Sequence, residues 1–145
     1  MTRPNIRPFP QAAFDTLVAD PAALVDSARA AVASIGMNVR AFSAPEGYLE
    51  TRWFDLQSKR SHSGNDHPSR LVRLRVWTDL VTPRESQIVV ETVYRRTIDP
   101  SVPDREVELV ADPGSAADSL TQAVRAAVKR QFPAPRPTPP SPGAR

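Results

Sequence analysis

Leu71-Val72-Arg73-Leu74-Arg75-Val76-Trp77 alternates apolar and cationic residues, and that period of two decides how the rest of the chain is read. Successive side chains of a strand point to opposite faces, so Val72, Leu74 and Val76 turn inward while Arg73 and Arg75 turn outward. After a turn at Thr82-Pro83-Arg84, residues 87–97 repeat the period, with Ile88, Val90, Thr92 and Tyr94 on one face. Glu91 and Arg95 take the other. Upstream, residues 48–56 read as a half-buried strand, Leu49, Thr51 and Trp53 on one side and Glu50 and Arg52 on the opposite one. The turn Pro45-Glu46-Gly47 leads into it, with glycine able to supply a positive φ, and residues 38–43, marked by Val39 and Phe42, form a shorter strand before the turn. Residues 57–69 carry Ser, His, Gly, Asn, Asp and Pro without periodicity and are expected to be a long solvated hairpin loop. Arg105-Glu106-Val107-Glu108-Leu109 also alternates, as a charge-protected edge strand or as a connector.

Helices flank this block of strands. Asp20-Pro21 is a start signal, because Asp can accept an orphan N–H at the N-cap and Pro suits the first helical position. Leu24, Ala28, Ala31, Val32 and Ile35 then mark one buried face, and Gly36 stops the helix. A second helix is expected from about Ser115, where Ser115 and Asp118 approximate a capping box. Its apolar stripe is Ala116, Leu120, Ala123, Val124, Ala127, Val128 and Phe132. The order helix, strands, helix implies an α+β two-layer sandwich, an antiparallel sheet of three to four strands with both helices on one face. Residues 1–15, with Pro4, Pro8 and Pro10, read as an extended arm; 16–132 form the single domain; 133–145, six of thirteen residues Pro, form a polyproline-like tail.

Composition bounds the function. At 145 residues, 40% hydrophobic, one core is the expectation. No apolar run approaches the ~20 residues that cross a bilayer, and residues 1–10 lack the apolar stretch of a secretory signal, so the sequence as written is expected to be cytoplasmic. Zero Cys removes disulfides and thiolate chemistry. The net charge of +3 invites a nucleic-acid reading, but Arg3, Arg7, Arg136 and Arg145 lie in the terminal segments and the 15 cations of residues 11–132 face 16 acids. Phosphate binding needs a concentrated basic footprint, which counts against a nucleic-acid partner.

Candidate chemistry is sparse. His62, Asp66 and His67 share one loop and could ligate Zn²⁺ or Ni²⁺, but no fourth ligand or fixed geometry accompanies them. Ser61 beside them does not make a triad, which needs groups held on separate rigid elements. Glu106 and Glu108 read as an exposed charged edge, and the five glycines are too scattered for a phosphate loop. No catalytic residue, cofactor or small-molecule substrate is therefore expected. The most informative surface is the outward side of the sheet, where Tyr48, Arg52, Arg73, Arg75, Trp77 and Arg95 would share one face. It is either a solvated face with cross-strand pairs to Glu50 and Glu91, or a platform for a protein partner or an anionic headgroup. Arg136 and Pro137-Thr138-Pro139-Pro140 add a PxxP element.

Gly36-Met37-Asn38-Val39 followed by Glu46-Gly47-Tyr48-Leu49-Glu50-Thr51-Arg52-Trp53 resembles small α+β domains of bacterial envelope lipoproteins, such as the lipoprotein C component of the outer-membrane β-barrel assembly machinery. The resemblance spans about residues 20–80 and carries no catalytic residues. It implies an accessory binding domain, and the missing signal and lipidated Cys depart from that family; a start lying further upstream would make the domain periplasmic. The sequence thus leads to a non-catalytic accessory subunit that packs through its sheet face and terminal arms against a larger, membrane-proximal protein complex. The alternatives are an exported lipoprotein-like domain and a small metal enzyme using His62 and His67.

Overall fold

A computed structural model describes residues 2–61, 70–95 and 101–136. The chain runs β1 (Ala13–Val18), α1 (Pro21–Ile35), β2 (Val39–Ser43), β3 (Tyr48–Thr51), β4 (Phe54–Asp55), β5 (Arg60–Ser61), β6 (Leu71–Leu80), β7 (Glu85–Arg95), α2 (Asp104–Val107), β8 (Glu108–Val110) and α3 (Ala116–Gln131). It is an α+β fold around one open antiparallel sheet, ordered β1-β7-β6-β3-β2, with β8 on β7, β4 on β6 and β5 on β4. The alternating stretch quoted above begins β6, the central strand, whose partners are β7 on one side and β3 and β4 on the other.

Among the described residues eight strand segments replace the three or four expected. One is β1, hidden in what reads as an arm: Leu17 is buried, and β1 pairs in unbroken register with β7 from Ala13↔Val90 to Val18↔Glu85. Residues 48–56 divide into β3 and β4, because the chain leaves the ladder at Arg52 and Trp53. Arg60-Ser61 of the expected loop pairs with β4, and residues 104–110 are a helical turn followed by a strand.

Both long helices lie on the same face of the sheet and pack on each other, as two one-sided helices must to bury both stripes. Leu24, Val25, Ala28 and Val32 of α1 and Leu120, Val124 and Val128 of α3 meet Leu49, Phe54, Val72, Leu74, Val76, Ile88 and Val90 from the strands. In α3 the buried stripe includes Ala117 and Thr121, while Ala116 and Ala123 are exposed. Alanines carry too little apolar surface to fix a stripe to one residue, and the Thr121 hydroxyl is satisfied by Thr92 at 2.7 Å. Ser115 caps α3 by accepting from Asp118 N–H, whereas the Asp118 carboxylate accepts from Gly114 N–H and does not close a reciprocal box. Asp20 is the N-cap of α1 but its side chain makes no capping hydrogen bond; Pro21 and the left-handed Gly36 set the two ends.

The opposite face of the sheet is covered as well. Residues 3–9 cross it as an irregular strap, and α2 lies beside them, so Leu71, Trp53 and Val93 form a second small cluster with Phe9 and Val110. The β2–β3 turn shows how closely the layers fit: Gly47 has φ of 64°, accepts from Thr78 N–H at 2.9 Å, and a Cβ there would run into the Thr78 carbonyl. Gly47→Ala is therefore expected to destabilise the fold by more than the ~1–2 kcal/mol of the left-handed conformation alone. Gly114→Ala, also at positive φ but with open space around it, should cost no more than that. Paired chemical denaturations of the two variants check the difference.

Candidate functional site

Register builds the polar centre of the covered face. Glu50 on β3, Arg75 on β6 and Glu91 on β7 stand directly opposite one another across three strands. Glu108 enters from β8, where Arg95↔Glu108 is the pairing. Arg75 is 2% exposed and uses its whole guanidinium. Nε donates to Glu50 Oε1 at 2.8 Å, and Nη1 and Nη2 grip Glu108 in a fork at 2.6 and 2.9 Å. Arg105 of α2 closes the cluster from above, reaching Glu91 Oε1 at 2.5 Å and Glu108 Oε1 at 3.2 Å. Arg40 adds a longer pair to Glu50 at 3.4 Å, and Tyr48 donates its hydroxyl to Glu50 at 3.0 Å. Three carboxylates thus face three guanidinium groups, the condition under which charges can be carried into a protein interior.

The electrostatics follow. Burial opposes ionisation of Glu50, but the hydrogen bond and charge of Arg75 outweigh it and hold this carboxyl below the usual range. Burial, reinforced by the Glu50 charge, pushes the Tyr48 hydroxyl well above the ordinary phenol. Arg75 is drawn upward because the Glu108 and Glu50 bonds overcome its desolvation, whereas burial dominates at Arg73 and lowers it. At neutral pH Glu50 is thus held ionised and Tyr48 protonated, the states in which the carboxylate accepts from both Arg75 and the Tyr48 hydroxyl. The cluster is built to hold charge still.

The six residues expected to share a face divide. Tyr48, Arg73, Arg75 and Trp77 do share it, but all four are buried, which corrects both the solvated sheet and the exposed platform. The reason is the strap of residues 3–9 together with α2, which the sequence reading left in solvent. Arg95 is half-buried, and its guanidinium lies 4.2 Å from the centre of the Trp53 ring, as that of Arg73 does at 4.3 Å. Both cations also pair with Asp104. Trp53 therefore belongs to the arginine face and not beside Leu49 and Thr51, because the break at Arg52 shifts the alternation. Arg52 itself is exposed, with its N–H donated to Asn38 O. Glu108 is buried in the cluster and not on an exposed edge, and Glu106 sits in α2.

Ser61 accepts from Asn38 Nδ2 at 2.8 Å, and His62, Asp66, His67 and the 137–140 PxxP element lie outside the described residues. Among the described residues no group of three His, Asp or Glu is placed to hold a metal, and no helix is long and apolar enough to cross a membrane. Glu50 and Glu91 were legible as cross-strand partners of this face; what the sequence reading missed is Glu108 as the carboxylate that grips Arg75, Arg105 as the cation over Glu91 and Glu108, and Ile6 and Phe9 as the cover. These depend on where α2, β8 and the strap fold back.

Beside the cluster, β1 and β8 lie along the same edge of β7 and leave a gap at Glu91 and Thr92. The gap opens into a cleft of about 520 Å³ lined by Phe9, Ala12, Leu109, Asp112 and Thr121 among others. The chain matches no protein-family model and no curated protein.

Removing Arg75 would strand Glu50 and Glu108 in the interior, so Arg75→Ala should cost about 3–5 kcal/mol of stability, read from denaturant unfolding. The lowered Glu50 carboxyl, together with Asp15, whose desolvation is outweighed by Arg125, gives a pH signature. Groups whose folded values are depressed contribute stability that is full above the unfolded values of about 4 and is lost as pH falls through the folded ones. The thermal midpoint should therefore hold down to about pH 5 and drop below about pH 4. Glu50→Gln, with less proton uptake on unfolding, should flatten the drop.

Proposed function

We propose that this chain is a non-catalytic protein-interaction domain, an accessory subunit of a larger complex, and that it joins its partner at the β1 edge of the sheet. The supporting observation is Phe14, which is 61% exposed on an edge strand that no described strand covers. Val18 donates its N–H outward, to Pro133 O, and not to β7. Alternation along an antiparallel strand then turns the peptide groups of Phe14 and Thr16 outward too. Val18, four residues further along the same strand and on the same face of the sheet, is exposed as well.

The opposite edge is built differently. β2 is interrupted by a register shift between Val39 and Ala41 and presents the exposed Arg40, two devices that discourage strand pairing. The regular β1, with no Lys, Arg or Pro among its six residues, carries neither. An extended partner segment added beside it would gain main-chain hydrogen bonds and cover Phe14. The satisfied ion cluster supports the same reading from the other side, since its charges are committed to holding the fold.

Native purification of the full chain from its own cells, followed by mass spectrometry, tests this. Phe14→Arg should change folding stability by no more than about 0.5 kcal/mol, because the ring is solvated in the free chain, yet should lose the partner. Arg52→Glu, on an exposed site away from β1, should keep it. A partner that Phe14→Arg retains would refute the edge.

A further inference from the structure

The outer face of the sheet already holds a peptide: the chain's own Arg3-Pro4-Asn5-Ile6-Arg7-Pro8-Phe9, lying across it with no strand pairing. The Trp77 indole N–H donates to Ile6 O at 3.1 Å, and Arg105 Nη2 donates to Arg7 O at 2.5 Å. Arg3 grips Asp79 through two bonds of 2.8 and 3.1 Å. Phe9 N–H donates to Glu91 at 3.0 Å, and the Arg105 guanidinium lies 3.7 Å from the Phe9 ring centre. Fixed side-chain donors thus read the carbonyls of a proline-spaced segment over an aromatic floor. That is how extended Pro-rich peptides are recognised, because such peptides carry their carbonyls unpaired and arrive with little conformational freedom left to lose.

The floor has contacts of its own besides those to the strap. Trp77 is set edge-on to Tyr48 at 5.9 Å, and Arg105 is anchored by Glu91 and Glu108. The strap's own hold is lighter: the Asp79 side chain of its ion pair is 54% exposed, and Ile6 and Phe9 are only partly buried. A turn closed by Ala12 N–H to Phe9 O at 3.0 Å joins it to β1, so it can leave without disturbing β1 pairing.

We propose that the outer sheet face is a binding groove for an extended, proline-spaced segment bearing arginine, filled in the free chain by residues 3–9, and that a segment of this chemistry from a protein partner takes their place. The proposal rests on the reading of the chain as an interaction domain and adds a second surface to the β1 edge. Charge complementarity names the occupant: Asp79 takes the arginine, and Trp77 and Arg105 take carbonyls spaced as Ile6 and Arg7 are. Residues 3–9 act as a tethered competitor, which a partner must outbind.

The test uses a fluorescent peptide with the sequence of residues 2–11, titrated into the full-length chain. Arg3→Glu weakens only the exposed end of the strap and should let the peptide bind about tenfold more tightly than to wild type. Adding Trp77→Phe removes the indole N–H but keeps an aromatic ring, and should take away about tenfold of that affinity. A second strap variant, Arg3→Glu with Phe9→Ala, should raise peptide affinity further. The groove is refuted if neither strap variant binds the peptide better than wild type, or if Trp77→Phe leaves binding unchanged. Sedimentation of the wild type closes the remaining case: a dimer that Arg3→Glu dissociates would make the occupant a second copy's strap and overturn the foreign partner. Capture at the β1 edge does not use the groove, so a failed peptide titration leaves that reading standing while defeating this one.

Discussion

A guanidinium in the middle of a sheet, 2% exposed, sets the terms for the rest of this molecule. Arg75 cannot sit there unless carboxylates surround it, since an unpaired buried ion costs several kcal/mol. The register of three strands supplies Glu50 and Glu91, but a guanidinium has a second edge to satisfy, and Glu108 meets it with a bidentate fork from β8. Adding a third carboxylate creates a new imbalance. Arg105 on α2, together with the peripheral Arg40, restores it. Glu108 and Arg105 both lie beyond β7, so the ion cluster helps to fix where residues 104–110 fold back.

The same requirement explains the strap. A cluster left open to water would lose much of the Coulomb energy that offsets its desolvation, because the attraction weakens as the local dielectric rises. Phe9 and the prolines around it exclude water while bringing few new demands. Pro4, Pro8 and Pro10 have no N–H to satisfy, and the carbonyls of Ile6 and Arg7 meet donors already in place on Trp77 and Arg105. An eleven-residue β7 with a gap at Glu91 and Thr92 belongs to this arrangement as well. A continuous edge strand would run across the place where Phe9 N–H reaches Glu91.

Much of this could be read from the sequence, and the part that could not has a physical cause. The faces of β6 and β7, the Gly36 stop, the Ser115 cap and the placement of both helices on one side all follow from local periodicity and turn chemistry, which few residues suffice to encode. The strand at residues 13–18 escaped because Pro10 lies just before it and its apolar residues, Ala13, Phe14, Leu17 and Val18, do not alternate cleanly. Trp53 was placed on the wrong face because the pairing with β6 slips by one residue between Glu50↔Arg75 and Phe54↔Val72, and with a strict twofold side-chain period a one-residue slip turns the next side chain to the other face. Arg73 and Arg75 were correctly turned away from the helices but wrongly given to solvent. Alternation reports which face a side chain takes; whether that face is covered depends on residues some seventy positions away.

A chain of this size buries two faces of one sheet by unequal means. On the helix face, apolar side chains from α1 and α3 interlock, and removing water from them is the dominant gain. On the other face the cover is a short irregular segment held by directed bonds, some of them exposed. Directed bonds are worth about 1 kcal/mol each in water, and ordering each residue of the segment costs about as much. The two faces therefore differ in what holds their cover: the helices are fixed by the shared apolar core, the strap by separate directed bonds. None of the bonds of Arg75 to Glu50 and Glu108 runs through the strap, yet all of them are strengthened by the cover that keeps water out. The network therefore asks of any segment that displaces the strap what it asks of the strap, that it shield Arg75 and its carboxylates from water.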